Sequence, residues 1–257
     1  MIAAVIGRWL VVAVVLGVLA PATAGAMPLR GAPWQPGVEA AERFARERAG
    51  IVSFHVRYGW RRWGHQAGRV TYTASTIKTM LALVYLRRPG TRRRALTARD
   101  RALLDPMIRR SGNVAATRVR DIVGNHRLTA LAAKIGMRDF HVHPNWGAST
   151  ISARDLSRLF ARLDTLTPRR HRAYLLRLHR TIVARQRWGV GQVQPDGWKL
   201  YFKGGWGSGS GAVDHQAALL TRDGRRIALA ITTVANPDHA YGKRTLEGVA
   251  KRLLRGL

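Results

Sequence analysis

Cysteine is absent from the 257 residues. No disulfide, thiolate nucleophile, cysteine-held metal or lipid-modified N-terminal cysteine is therefore available, and stability must come from packing. Glutamate is nearly as restricted. Glu39, Glu42, Glu47 and Glu247 are the only four, so none stands between Arg48 and Leu246, and carboxylate chemistry in the middle of the chain falls to aspartate. Lysine is scarce too, with 6 residues against 38 arginines, so a lysine inside a motif is more informative than usual. The chain carries no internal repeat and no low-complexity linker.

What is present suits a folded domain. Hydrophobic residues make up 46% of the chain, enough for a sizeable core in one large domain or two intimately joined subdomains. The net charge of +30 is extreme, but its arginines are spread along the whole sequence. Specific nucleic-acid binding predicts basic residues gathered on one face or interleaved with aromatics, and no such pattern is found. A surface of this sign attracts anionic envelope polymers in a salt-sensitive way.

The N-terminus has one charge at Arg8, then the apolar run Trp9 to Ala20, Pro21 and small residues. This is a secretory signal pattern with small-x-small cleavage sites at Ala22-Thr23-Ala24 and Ala24-Gly25-Ala26. The expectation is a signal peptide over 1–26 and an extracytoplasmic location, with an uncleaved anchor as the alternative. Val38 to Arg48 has the period of an amphipathic helix stopped by Gly50, and Ile51 to Tyr58 alternates as a strand. A turn over Gly59 to Gly64 and a weaker strand ending near Tyr72 follow.

From Ser75 to about Arg185 the pattern is helical, punctuated at Thr97, Asn113, Asn125, Gly136 and Ser152. Period two returns at Trp198 to Lys203, Val213 to Thr221 and Arg226 to Val234, the last two joined by the hairpin signal Asp223-Gly224. A final helix spans about His239 to Leu254. The expected fold is α+β: an antiparallel sheet of about five strands built from both chain ends, flanked by N- and C-terminal helices, with an inserted all-helical subdomain. Residues 27–257 then form one domain, with an α/β subdomain from 37–74 and 198–257 and a helical subdomain over 75–197.

Three short stretches carry chemistry. In Ala74-Ser75-Thr76-Ile77-Lys78 a helix places Ser75 and Lys78 on one face with Leu81 and Ala82 turned to the core. A serine hydroxyl needs a base, and a lysine serves only if its own pKa is depressed; arginine cannot. Chance alone supplies about 0.2 Ser-x-x-Lys matches in a chain of this composition, so the spacing by itself is better read as a helix start with a solvated lysine. Ser111-Gly112-Asn113 reads by itself as a capped helix junction, and Lys203-Gly204-Gly205-Trp206 as a strand end rich in glycine.

In this order and on these elements, the three stretches resemble the active-site serine β-lactamases and penicillin-binding proteins, closest to the class A pattern Ser-x-x-Lys, Ser-Asp-Asn, Lys-Thr-Gly. The resemblance covers most of the chain after the leader, including Thr150 to Leu156 after a loop. It implies a serine hydrolase in which Ser75 attacks a carbonyl to give an acyl-enzyme, with Lys78 as proton acceptor or relay. Ser111 passes a proton to the leaving nitrogen, Asn113 binds a substrate amide, and Lys203 supplies positive potential. The backbone N–H groups of Ser75 and Trp206 form the oxyanion hole, and Gly204 and Gly205 let the strand approach a ligand. The implied substrates are β-lactams or peptidoglycan-derived D-alanyl amides or esters, used by a monomer without metal or other cofactor.

The departures are specific. Class A enzymes deacylate with a glutamate on the loop after the second motif. Here that loop, Met137 to Thr150, has Asp139 as its only carboxylate. Gly112 replaces the family aspartate and Gly204 the family threonine or serine. In the family an arginine often assists in holding the substrate carboxylate there; Arg222, Arg225 and Arg226 cluster at the hairpin, and the sequence places none of them at that position. Weak turnover follows, with a catalytically degenerate envelope-polymer binder as the alternative. His141-x-His143 lacks a third metal ligand at a recognisable spacing, Asp214-His215 is a candidate for lining the cleft, and Trp146, Trp188, Trp198 and Trp206 read as core or cleft wall.

Overall fold

Period-two alternation in three C-terminal segments and one N-terminal segment builds a single antiparallel sheet, because each strand has one face to bury on either side. The computed structural model describes residues 34–207, 209 and 211–257; the expected signal segment lies outside the described residues. Helix α1 (Val38–Arg46) leads into β1 (Ile51–Tyr58) and β2 (Arg61–His65). After β3 (Val70–Tyr72), a 3-10 turn at Ala74–Ile77 opens α2 (Lys78–Arg87). The insertion continues through α3 (Pro89–Arg92), α4 (Ala98–Arg109), α5 (Asn113–Val123) and α6 (Asn125–Ile135). Strand β4 (Thr150–Ser152), α7 (Ala153–Ala161), α8 (Leu163–Leu166) and α9 (Arg172–Arg180) complete it. Strands β5 (Lys199–Gly207), β6 (Val213–Arg222) and β7 (Arg225–Val234) and helix α10 (His239–Leu253) close the chain, and the five-stranded sheet has the order β2-β1-β7-β6-β5.

The register divides the sheet into two unlike faces. Ser53, His55 and Arg57 of β1 lie level with Thr232, Ala230 and Ala228 of β7. These continue across β6 through His215, Ala217 and Leu219 to Gly205, Lys203 and Tyr201 of β5. Its small and polar residues leave room for α7 and for the turn that carries Ser75, both of which pack against the sheet. The opposite face presents Phe54, Val56, Ile227, Leu229, Ile231, Leu220 and Phe202, all buried. The pair α1 and α10 covers that apolar face.

Two expectations need correcting. The stretch expected to be a turn, Gly59 to Gly64, contains most of β2, which pairs with β1 at the sheet edge. The weak strand ending at Tyr72 leaves the main sheet and pairs with β4, so the insertion is not wholly helical. Three-residue strands are too short for alternation to register. The capping signals divide similarly. Thr97 forms a full capping box with Asp100, Ser152 accepts from Asp155 N–H, and Gly136 closes α6 in the left-handed conformation. Asn113 and Asn125 are instead the first helical residues after Gly112 and Gly124, with no side-chain cap.

Candidate active site

The buried end of α2 brings the first motif together. Lys78 is fully buried and its Nζ donates to Ser75 Oγ (2.9 Å), Ser111 O (2.6 Å) and Asn113 Oδ1 (2.7 Å), with Ser111 Oγ at 3.3 Å. Burial lowers its pKa to about 7. The acceptors decide what the neutral amine does. A carbonyl oxygen and a carboxamide oxygen can only accept, so they take the two N–H bonds of an uncharged amine. The remaining lone pair is left for a hydroxyl, and Ser75 Oγ at 2.9 Å is nearer than Ser111 Oγ at 3.3 Å.

The second motif supplies that carbonyl through an unusual backbone. Ser111 has φ +57, and Ala74, immediately before Ser75, has φ +43. Non-glycine residues in this region cost on the order of 1–3 kcal/mol, and such strain gathers at functional sites. At Ser111 the conformation goes with a carbonyl on Lys78 Nζ and a hydroxyl on Lys203 Nζ (3.0 Å). Lys203 is fully buried and also donates to Gly204 O (2.6 Å); burial first, and then the charge of Lys78, hold its pKa well below the ordinary lysine value. Ser111 Oγ thus lies between two amines. Beneath them His179, buried and lowered to about 4 mainly by burial, accepts from Thr79 Oγ1 at 3.1 Å.

The third motif approaches through glycine. β5 is the edge strand, and a Cβ at Gly205 would lie 2.8 Å from Ser75 N, 2.9 Å from Thr76 N and 3.1 Å from Thr73 O. Those atoms are backbone and cannot step aside. Gly205→Ala is expected to cost about 1–3 kcal/mol of stability and to suppress modification of Ser75, read by thermal melting and by acyl-adduct formation. At Gly204 a Cβ would meet the Trp188 ring at 3.1 Å, so an indole occupies the space a threonine side chain needs. Trp206 turns its side chain to the other sheet face, stacked on His239 and edge-on to Trp188.

Where the sequence has no glutamate, the loop presents Trp146. Its ring centroid lies 4.8 Å from Lys78 Nζ, and its Nε1 donates to Thr117 Oγ1 (3.1 Å). The ring walls the site, as expected for a cleft tryptophan, and its face favours the ammonium form against the effect of burial. Nothing in a lone loop tryptophan marks it beforehand as a neighbour of Lys78. The loop's carboxylate is engaged elsewhere: Asp139 Oδ2 accepts from Ser152 Oγ (2.6 Å) and Arg154 (3.2 Å).

Other candidates separate from this cluster. Arg222 and Arg225 face each other at the hairpin, level with the start of β5 and not with Gly205. Arg226 pairs with Asp164 (2.7 Å). Asp214 and His215 are buried and neither bonds a motif side chain; Asp214 bonds His239 (2.6 Å) and lines a small pocket with Trp206 on the α10 face, and His215 Nδ1 is engaged by backbone. His143 makes loop contacts to Asn145 and Ser149, and among the described residues no group of three or more histidine, aspartate or glutamate side chains is placed to hold a metal ion.

A buried lysine against a serine, under a glycine-lined edge strand beside a helical insertion, matches the serine β-lactamase and penicillin-binding-protein-like superfamily. Solved structures agree on the fold. The β-lactamase from Sphaerobacter thermophilus is similar at TM-score 0.74 and 19% identity, covering 84% of this chain and 95% of that one. The class A β-lactamase from Mycobacterium abscessus gives 0.71 and 19%, over 85% and 98%. PBP-A gives 0.70 and 16%, over 84% and 93%. Residues 88–257 match the beta-lactamase enzyme family, and the chain belongs to that family. No curated protein matches the sequence.

Proposed function

We propose that the chain is a secreted serine hydrolase that forms an acyl-enzyme on Ser75 with a β-lactam or a D-alanyl-peptide-like amide or ester, and releases it slowly. The observation that carries this reading is the amine of Lys78: buried, lowered to about 7, and with two obligatory acceptors leaving its lone pair toward Ser75 Oγ. Lys78 takes the hydroxyl proton as Ser75 Oγ bonds to the carbonyl carbon. The developing oxyanion is met by the N–H groups of Ser75 and Trp206. As the C–N bond breaks, Ser111 gives its hydroxyl proton to the leaving nitrogen and takes back the one held on Lys78, whose Nζ is 3.3 Å from its Oγ, with Lys203 donating to that oxygen and Asn113 and the β5 edge holding the substrate.

Slow release is inferred from the loop. Hydrolysis of the ester needs a base to activate water, and Asp139 is committed to Ser152 and Arg154 while Trp146 covers Lys78. In line with this reading, a mutant of PBP-A has been solved as an acyl-enzyme complex with penicillin G, at TM-score 0.69 to this chain. Secretion rests on the apolar segment over 1–26; among the described residues no helix is long and apolar enough to cross a membrane. Intact-protein mass spectrometry after exposure to penicillin G is expected to reveal one adduct, absent in Ser75→Ala, that persists well beyond mixing. A chain that never gains the adduct under any condition is instead a non-catalytic envelope binder.

A further inference from the structure

The same sheet face that carries Lys203 has, at its other end, a cavity that the reaction does not use. Its volume is about 660 Å³, and six arginines line it: Arg57, Arg62, Arg154, Arg158, Arg162 and Arg226. Its floor is small and apolar, formed by Leu219, Ala228 and Ala161. Leu219 and His215 are four residues apart on β6, so the cavity lies roughly 13 Å along the strand from the level of Gly205.

The arginines are not explained by ion pairing. Among the described residues Arg154 has Asp139 and Arg226 has Asp164, whereas Arg57, Arg62, Arg158 and Arg162 have no carboxylate within salt-bridge distance. Asp155 is the other acid nearby. It is buried, burial raises its pKa, and one oxygen is spent on the Asp139 N–H (2.7 Å). The arginines' neutral partners are few: Arg57 donates to Ser157 Oγ (3.1 Å), Arg62 to Gly59 O and Arg61 O, Arg158 to Ile135 O and Arg226 to Ala161 O. The Nε atoms of Arg154 and Arg158 are buried without any partner.

The crowding has electrostatic consequences. Burial, then Arg62, Arg158 and Arg162, lower Arg57 to about 10. Burial and four of the same arginines hold His55 at about 3, a neutral ring bonded to Ser157 Oγ (2.7 Å). Like charges gathered in a walled cavity repel one another unless an anion enters.

We propose that this cavity binds a soluble oligophosphate, a short chain of phosphate groups carrying several negative charges. Guanidinium forks match phosphate oxygens in pairs, and several converging forks favour a ligand with several phosphoryl groups over a single one. The lining includes no tryptophan, tyrosine, phenylalanine, carboxylate or carboxamide, and its one ring, His55, is buried and bonded to Ser157, so the cavity offers a nucleobase no side-chain acceptor and no free aromatic face. The cavity volume admits a chain of a few phosphates.

Calorimetric titration of the full chain with sodium tripolyphosphate at fixed ionic strength tests this site. The wild type is expected to bind with one-to-one stoichiometry and to prefer tripolyphosphate to orthophosphate and to citrate. Arg62→Gln/Arg158→Gln should weaken binding about tenfold or more, whereas Arg92→Gln/Arg93→Gln, which removes equal charge from an exposed helix end, should change it by less than about twofold. Arg62→Gln alone, at an exposed position, serves if the double variant does not fold, with a weakening of about fivefold expected. Ser75→Ala should bind as the wild type does. Equal weakening in the cavity and surface variants, or binding with no saturable stoichiometry, would mean diffuse attraction to a basic protein and would overturn the proposal.

Discussion

Replacing Lys78 by methionine is expected to abolish acylation of Ser75 and at the same time to stabilise the folded protein near pH 6. The two effects share one cause. Lys78 is fully buried and its pKa falls from 10.5 to about 7, chiefly through burial. Below pH 7 the folded and unfolded chains both carry the proton, and the folded chain bears the cost of a buried charge. Between about 7 and 10.5 the unfolded chain holds more protons than the folded one, so stability rises with pH across that window.

The shift corresponds to a penalty on the order of 3–5 kcal/mol at low pH, offset in part by the hydrogen bonds to Ser111 O and Asn113 Oδ1 that methionine cannot make. A net gain of about 1–3 kcal/mol at pH 6 is expected for Lys78→Met, shrinking as pH approaches 10. Acylation moves oppositely. General-base assistance is worth about 10²–10⁴-fold, so Lys78→Met and Lys78→Arg should both lose at least that much, and the wild-type acylation rate should climb through about pH 7 to a plateau. Chemical denaturation at several pH values, paired with stopped-flow acylation, checks both halves. A Lys78→Met variant that is less stable at pH 6 would contradict the account.

Asp100→Ala is expected to be the most destabilising change among the acidic residues of the helical insertion, at about 2–4 kcal/mol. Asp100 is 2% exposed, and its carboxylate collects five donors. Tyr85 Oη (2.6 Å) and Arg94 Nη2 (3.1 Å) donate to Oδ1; Arg94 Nη1 (2.5 Å), Thr97 N (2.7 Å) and Thr97 Oγ1 (2.9 Å) donate to Oδ2. Alanine removes the capping box of α4 and strands the Tyr85 hydroxyl in the core of α2. The Arg94 guanidinium, with the other donors, holds the acid below its ordinary value despite burial. A depressed carboxylate contributes stability that is present above about pH 4 and lost as pH falls through the folded-state value. The wild type should therefore lose stability in acid more steeply than Asp100→Ala. Because Tyr85 lies on the helix that Lys78 opens and α4 runs into Ser111, this cluster also joins the first motif to the second. Urea titration gives the magnitude; a change under about 0.5 kcal/mol would show that the clamp is dispensable.

Much of this was legible in the sequence because it rests on local, periodic signals. Strand β1, the hairpin at Asp223-Gly224, the Thr97 and Ser152 caps and the sheet's assembly from both chain ends all follow from alternation and turn chemistry over a few residues. Ser75, Lys78, Ser111, Asn113 and Lys203 share one cluster, which the order of the motifs anticipates. Short or tertiary features were not legible. Strands β3 and β4 have three residues each, and β2 mixes Trp63 with arginine and glycine at a sheet edge. The left-handed turn at Ser111, the tryptophan over Lys78 and the six-arginine cavity depend on segments far apart in sequence, and no window of residues contains them.

The contact between Gly204 and Trp188 sets the order in which this site can be altered. A threonine introduced at 204 to recreate the familiar third motif would meet the indole within a bond length or two of its backbone, so the single change is obstructed before any hydroxyl can serve a substrate. Shrinking Trp188 first removes the obstruction but also opens the aromatic cluster with Trp206 and His239. Remodelling toward the standard motif therefore passes through 188 before 204, and the glycine is as much a concession to its neighbour as a property of the strand.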